Sequence, residues 1–257
     1  MSLALITGAS KGIGKAIAFQ LAAKGNNLLL VARNEQLLQS VAEEIKKVYP
    51  IAVDYFAIDL SQQGAAKKIF DWCQQKRYTV SILVNNAGYG LSGKFETYSL
   101  TDHLQMMQVN MNAVVELTHL FLPQLKRQPQ AYILNIASSA AYQAVPYLSI
   151  YAASKAFVLQ FSRGLNYELK NTPVSVTCIS PGSTDTDFAS RANVGDKGLK
   201  AAKKVNMTPE EVASIAVNAM YTKKSEVITG LINKLGAFFV WLLPKRLVEN
   251  TAAKIYE

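Results

Sequence analysis

The sequence predicts an α/β protein built on one doubly wound parallel sheet of about seven strands, with helices on both faces. Three observations point there. Short β-branched runs alternate with longer amphipathic stretches along the whole chain. Several of the short runs are apolar throughout, as strands covered on both faces are. Each intervening stretch is long enough to cross over between parallel strands. With 257 residues, 50% of them hydrophobic and 18% charged, the chain can bury a sizeable core and is no disordered polymer.

Strands are expected at Leu3–Thr7, Asn27–Ala32, Val53–Ile58, Ile82–Asn85, Tyr132–Ile136 and Val174–Ile179, with a short last one near Val227–Ile228. Helices are expected at Gly12–Lys24, Glu35–Tyr49, Gly64–Lys76, Asp102–Lys126, Tyr151–Lys170 and Pro209–Tyr221. Thr208 ahead of Pro209, Glu210 and Glu211 is a helix start: a cap, a preset φ and acids on the positive end of the dipole. No repeat, low-complexity tract or linker divides the chain, so residues 1–257 are read as a single domain. In such a sheet the ligand belongs at the carboxyl ends of the strands, where the strand order reverses.

The net charge of +9 raises the question of a nucleic-acid or anionic-lipid partner. The lysines are spread along helical stretches, with a local excess at Lys197, Lys200, Lys203 and Lys204. That distribution fits a solvated surface and attraction for a phosphate-bearing ligand better than nucleic-acid binding. Cys73 and Cys178 form neither a disulfide framework nor a metal-ligand spacing and read as buried thiols. With no basic segment ahead of the apolar run at Leu3, a cytoplasmic setting is expected.

The first strand runs into Thr7-Gly8-Ala9-Ser10-Lys11-Gly12-Ile13-Gly14 and straight on into a helix. Such glycines let main-chain N–H groups and a helix N-terminus approach a pyrophosphate. The second strand ends Val31-Ala32-Arg33, with no acid to accept from ribose hydroxyls and a guanidinium able to grip a 2′-phosphate. The third ends in Asp59-Leu60, where the aspartate either contacts a base or caps a helix. The fourth ends Asn85-Asn86-Ala87-Gly88, and Ser138 follows the fifth. Tyr151 comes thirteen positions later, and Lys155 shares its helix face four positions on. A free phenol, with a pKa of about 10, is a poor acid–base group at neutral pH, and a nearby cation favours the phenolate.

Together these motifs resemble the short-chain dehydrogenase/reductase family, in order and without a gap from about residue 3 to 230. The resemblance implies a Rossmann-type fold and NADP(H) as cofactor, with hydride transfer to a carbonyl or from an alcohol. It implies Tyr151 as proton donor, Lys155 as its tuner and ribose ligand, Ser138 as hydrogen-bond donor to the substrate oxygen and Asn110 as holder of a relay water. It places Gly8, Ser10, Lys11, Gly12, Ile13, Gly14, Arg33, Asp59, Leu60, Asn86, Ala87, Gly88, Tyr151, Lys155, Pro181, Gly182, Thr184 and Thr186 around the cofactor. Arg33 and Lys11 together mark NADP preference. Asn86 reads as structural first.

A serine hydrolase built on Ser138 is excluded, because His103 and His119 both precede it. No ligand cluster supports a metal enzyme. An NADP-binding regulator or redox sensor with the same fold and no significant turnover stays open.

The Tyr151 helix is apolar on more than one face, which predicts a homodimer or tetramer. Residues 187–205 match the family's substrate lid. In the extension 231–257, the run Leu235–Leu243 is well short of the roughly 20 residues needed to cross a bilayer. Three uses remain for it: a cover over the cleft for a largely apolar ketone or aldehyde, a subunit contact, or a peripheral membrane contact with basic flanks.

Overall fold

A computed structural model describes residues 2–185, 192, 194–195, 198 and 206–256. Thr186, most of the expected lid and its four lysines lie outside the described residues. The strands are β1 (Leu3–Thr7), β2 (Asn27–Ala32), β3 (Val53–Ala57), β4 (Ile82–Asn85), β5 (Ala131–Ile136), β6 (Val174–Ser180) and β7 (Glu226–Ile228). They form one sheet in the order β3-β2-β1-β4-β5-β6-β7, parallel throughout. The order reverses between β1 and β4, so the carboxyl ends of these two strands frame the crevice.

The helices are α1 (Gly12–Ala23), α2 (Glu35–Val48), α3 (Ala65–Gln75), α4 (Leu100–Met107), α5 (Ala113–Leu125), α6 (Ser149–Glu168), α7 (Pro209–Tyr221), α8 (Leu231–Leu242) and α9 (Lys245–Tyr256). Helices α1, α2 and α7 bury Ile17, Leu21, Leu38, Ile45 and Val217 on one face of the sheet. Helices α3 and α5 bury Ile69, Cys73, Leu117 and Phe121 on the other, with Val158 and Leu159 of α6 beside them. Central strands apolar on both faces follow from this two-sided cover. The Thr208 cap is present, with its hydroxyl on the Glu211 N–H and the Glu211 carboxylate returning to the Thr208 N–H.

One expected helix divides. Asp102–Lys126 is interrupted by a π turn at Gln108–Asn112, so α4 and α5 are separate pieces around Asn110. Pro123 lies inside α5, two residues from its end, and has no N–H to donate to the carbonyl four residues back. Helix α6 begins at Ser149, so Tyr151 lies within its first turn rather than opening it.

A polar line crosses the core on the α5–α6 side. The buried Asn85 side chain donates to Thr118 Oγ1 (3.2 Å) and Asn135 Oδ1 (2.8 Å), and Asn135 Nδ2 donates to Ser162 Oγ (2.9 Å). It joins α5, β4, β5 and α6 at the level where the loops leave the sheet. An Asn135→Ala variant strips partners from two buried groups. We expect it to cost about 1–3 kcal/mol, read as a lowered urea midpoint at unchanged m-value.

Candidate active site

The glycine loop is clamped from the side. Thr7 Oγ1 accepts the Asn86 and Ala87 N–H groups (3.0 and 3.1 Å), and Asn86 Nδ2 donates to Thr7 O (2.9 Å) and Gly8 O (3.2 Å). A Cβ on Gly14 would lie 2.2 Å from Gly8 O, and one on Gly8 would lie 2.7 Å from Asn86 Nδ2, with Gly8 also at φ +66°. No side chain at these two positions could be accommodated. Asn86 is therefore the structural cross-link that its position implied.

This loop delivers α1 to the crevice with no side-chain cap and no acid in its first turn. Its leading N–H groups, next to a backbone with no Cβ in the way, could receive a phosphate. Ser10, Lys11, Gly12 and Ile13 complete the turn around it. The residues present thus fit the diphosphate of a dinucleotide.

Arg33, with 58% of its side chain exposed, stands at the end of β2, 3.9 Å from Asp59 Oδ2. The other Asp59 oxygen accepts the Ser61 N–H (2.9 Å), which closes the turn after β3. Asp59 does not cap α3, whose N-cap is Gly64. Leu60 is buried beneath this turn.

Lys155 is 5% exposed, its Nζ donating to Ile136 O (2.9 Å) and lying 5.9 Å from the Tyr151 ring centre. Burial pushes the ammonium down to about 8. A Cβ on Gly88 would lie 3.1 Å from Lys155 Nζ and 3.2 Å from Asn110 Oδ1, so the bare glycine lets those two side chains converge. Asn110 is wholly engaged: Nδ2 donates to Tyr89 O (2.9 Å) and Ser154 Oγ (3.1 Å), and Oδ1 accepts the Tyr89 N–H (3.1 Å). Its side chain straps the segment following β4 to α6.

Ser138 caps a short turn at Ser139–Tyr142, its Oγ accepting the Ala140 N–H (3.1 Å). The Ser139 N–H donates to Pro181 O (2.7 Å), which links this turn to the segment after β6. Gly182 is pressed by Asn233 of α8, and Thr184 pairs with Met207 and donates to Gly182 O (3.2 Å). The Tyr151 ring packs with Met106, Val145, Leu148, Ala152 and Ala252, the last from α9.

One clamp was not anticipated from the sequence. The Tyr142 hydroxyl donates to Glu226 Oε1 (2.5 Å), and Glu226 receives Arg163 in a two-point pair (2.6 and 3.0 Å). Burial would raise the Glu226 carboxyl, but the Arg163 and Tyr142 hydrogen bonds outweigh it, so the group lies below its ordinary value. The clamp pins the far end of the Ser138 turn to α6 and to β7. Only the pairing of distant segments brings these residues together, so no local motif could have announced them.

Comparison with known proteins agrees with this geometry. Residues 2–197 match the model of the short chain dehydrogenase family. A sulfoacetaldehyde reductase of Chromohalobacter salexigens is 33% identical over 222 residues, covering 86% of this chain and 87% of that protein. A short-chain dehydrogenase of Sphingobium yanoikuyae in complex with NADPH superposes with a TM-score of 0.83 at 28% identity, covering 93% and 92% of the two chains. A 7β-hydroxysteroid dehydrogenase reaches a TM-score of 0.87 at 27% identity, over 98% and 96%. A glycine turn at the switch point, a buried lysine beside a tyrosine and a match running through both place this chain in the short-chain dehydrogenase/reductase family of oxidoreductases.

Proposed function

We propose that this chain reduces a largely apolar ketone or aldehyde, or oxidises the matching alcohol, with NADP(H). The observation that carries the reading is Lys155, buried to the point of a lowered pKa and facing Tyr151. The bound nicotinamide supplies or accepts the hydride. Tyr151 gives the proton to the carbonyl oxygen, and the Lys155 ammonium stabilises the phenolate left behind. Ser138 has committed a lone pair to the Ala140 N–H, and its own proton is available to the substrate oxygen. The Asn110 side chain is committed to Tyr89 and Ser154, so a relay water falls to its main-chain carbonyl within the π turn.

The preference for an apolar substrate is supported by the surroundings of Tyr151, where Leu91 and Ile150 join the cluster already described. Helix α9 contributes Ala252 to that cluster, so the end of the chain takes part in closing the site. Preference for the phosphorylated dinucleotide is supported by Arg33 at the mouth of β2, with Ala32 in place of an acid. Gly8 to Gly14, Asn86 to Gly88 and Pro181 to Thr184 line the rest of the cofactor path in this reading, with Thr186 beyond the described residues. Self-association through α6 is supported by its outer face, where Phe157 and Phe161 stack ring on ring, 6.1 Å apart, with Phe157 exposed. A cytoplasmic setting goes with the buried free thiols of Cys73 and Cys178.

Three outcomes test the reading. Tyr151→Phe should lower kcat/KM toward a panel of ketones and aldehydes by about 10²–10⁴, with NADPH affinity kept; a loss under tenfold would sink the assignment. Arg33→Ala should weaken NADPH binding at least tenfold and leave NADH unchanged, since a charge-assisted bond contributes about 1.5–3 kcal/mol. The third is a pH dependence. Lys155 keeps its proton to about 10.4 when unfolded but only to about 8 when buried, so between those values the unfolded chain binds more protons. Stability therefore rises with pH across that window. Without nucleotide, the parent should gain on Lys155→Met by up to about 1.4 kcal/mol per pH unit from pH 8 to 10, read as a growing difference in unfolding free energy.

A further inference from the structure

Helix α8 wears its apolar side outward. Asn233, Ala237 and Val240 recur at helical spacing and are half-buried against the protein body, while no residue of the helix is fully buried. On the opposite side Leu231, Leu235, Phe238 and Leu242 make a continuous stripe, each at least 50% exposed, and Trp241 beside them is 75% exposed. A helix of a folded domain normally turns such a stripe to the core, and a contiguous exposed apolar patch marks an interaction surface. Helix α8 is no loose tail. Asn233 Nδ2 donates to Thr229 O (2.8 Å), and the same side chain abuts Gly182 so closely that a Cβ there would fall 2.0 Å away.

Charge and length identify the occupant. The helix contains no acid; it carries Lys234, and Lys245 and Arg246 follow its end in a chain of net charge +9. A second copy paired about a two-fold axis would set these basic ends against one another with no carboxylate from α8 between them. Twelve residues make a rod of about 18 Å, well short of the roughly 30 Å apolar core of a bilayer. Among the described residues no helix is long and apolar enough to cross a membrane. A short helix with a broad apolar arc, an indole at its rim and cations at its flanks suits the boundary between headgroups and acyl chains. We infer that the outer face of α8 seats this enzyme on an anionic lipid surface. The helix lies in the headgroup plane, with Phe238 and Leu242 inserted and Lys234, Lys245 and Arg246 against the lipid phosphates.

The test is co-sedimentation of the full chain with phosphatidylcholine vesicles, with and without phosphatidylglycerol, alongside solution mass by light scattering. Trp241 emission is followed in a Trp72→Phe background. Binding to the anionic vesicles is expected, at least tenfold stronger than to neutral ones, with a blue shift of Trp241. Leu235→Glu/Phe238→Glu should abolish binding while NADPH affinity stays at the parent value, which shows that the fold is intact. Lys245→Gln/Arg246→Gln should weaken binding roughly fivefold per cation removed. Absence of binding, or equal binding to both vesicle types, overturns the inference. So does a mass that falls in the Leu235→Glu/Phe238→Glu variant without any vesicle binding by the parent, which would assign the face to a second copy.

Discussion

Keeping an ammonium out of water is the constraint on which the rest of the site depends. A buried charge is tolerated only where its hydrogen-bonding capacity is met and its surroundings cannot relax away. Lys155 has an acceptor in the carbonyl that ends β5 and a gap kept open by Gly88, just beyond β4. Both strand ends are fixed from beneath by the Thr118–Asn85–Asn135–Ser162 line. Asn110 holds the chain leaving β4 against α6 from the side. The consequence is precision in the first turn of α6. A phenol on that turn has little freedom, because the lysine one turn later is held at its own end.

Much of this was legible in the amino-acid sequence because it is local. All seven strands begin and end within a residue of where apolar runs place them, since a strand covered on both faces is apolar at most of its positions. The glycine loop, Ser138, Tyr151 and Lys155 were legible through their offsets along one chain. What escaped depends on contacts between segments far apart. The Tyr142–Glu226–Arg163 clamp joins residues 84 and 63 positions apart. The π turn escaped because the apolar pattern of 102–126 continues through it. Asp59 could be read as base contact or helix cap; the cap of α3 falls to Gly64, and one Asp59 oxygen closes a turn on Ser61.

The end of the chain divides its labour in a way composition could not foretell. Helix α9 turns inward, burying Val248 and Ala252, and reaches the tyrosine cluster. Helix α8, just before it, faces the other way while gripping the segment after β6 through Asn233. The inward-facing and outward-facing parts of the extension therefore fall to different helices, α9 and α8.

The π turn at Gln108–Asn112 acts as a phase shifter. One residue beyond the ordinary α-helical turn rotates everything upstream by about 100° relative to everything downstream. That rotation lets α5 present Leu117 and Phe121 to the sheet while α4 aims Met106 at the tyrosine cluster and His103 at Phe95, whose ring it stacks upon at 4.8 Å. In a chain shortened by one residue here, a regular helix could satisfy only one of those two faces. The irregularity is thus a gear between two surfaces, set at the position where the site needs Asn110 turned inward.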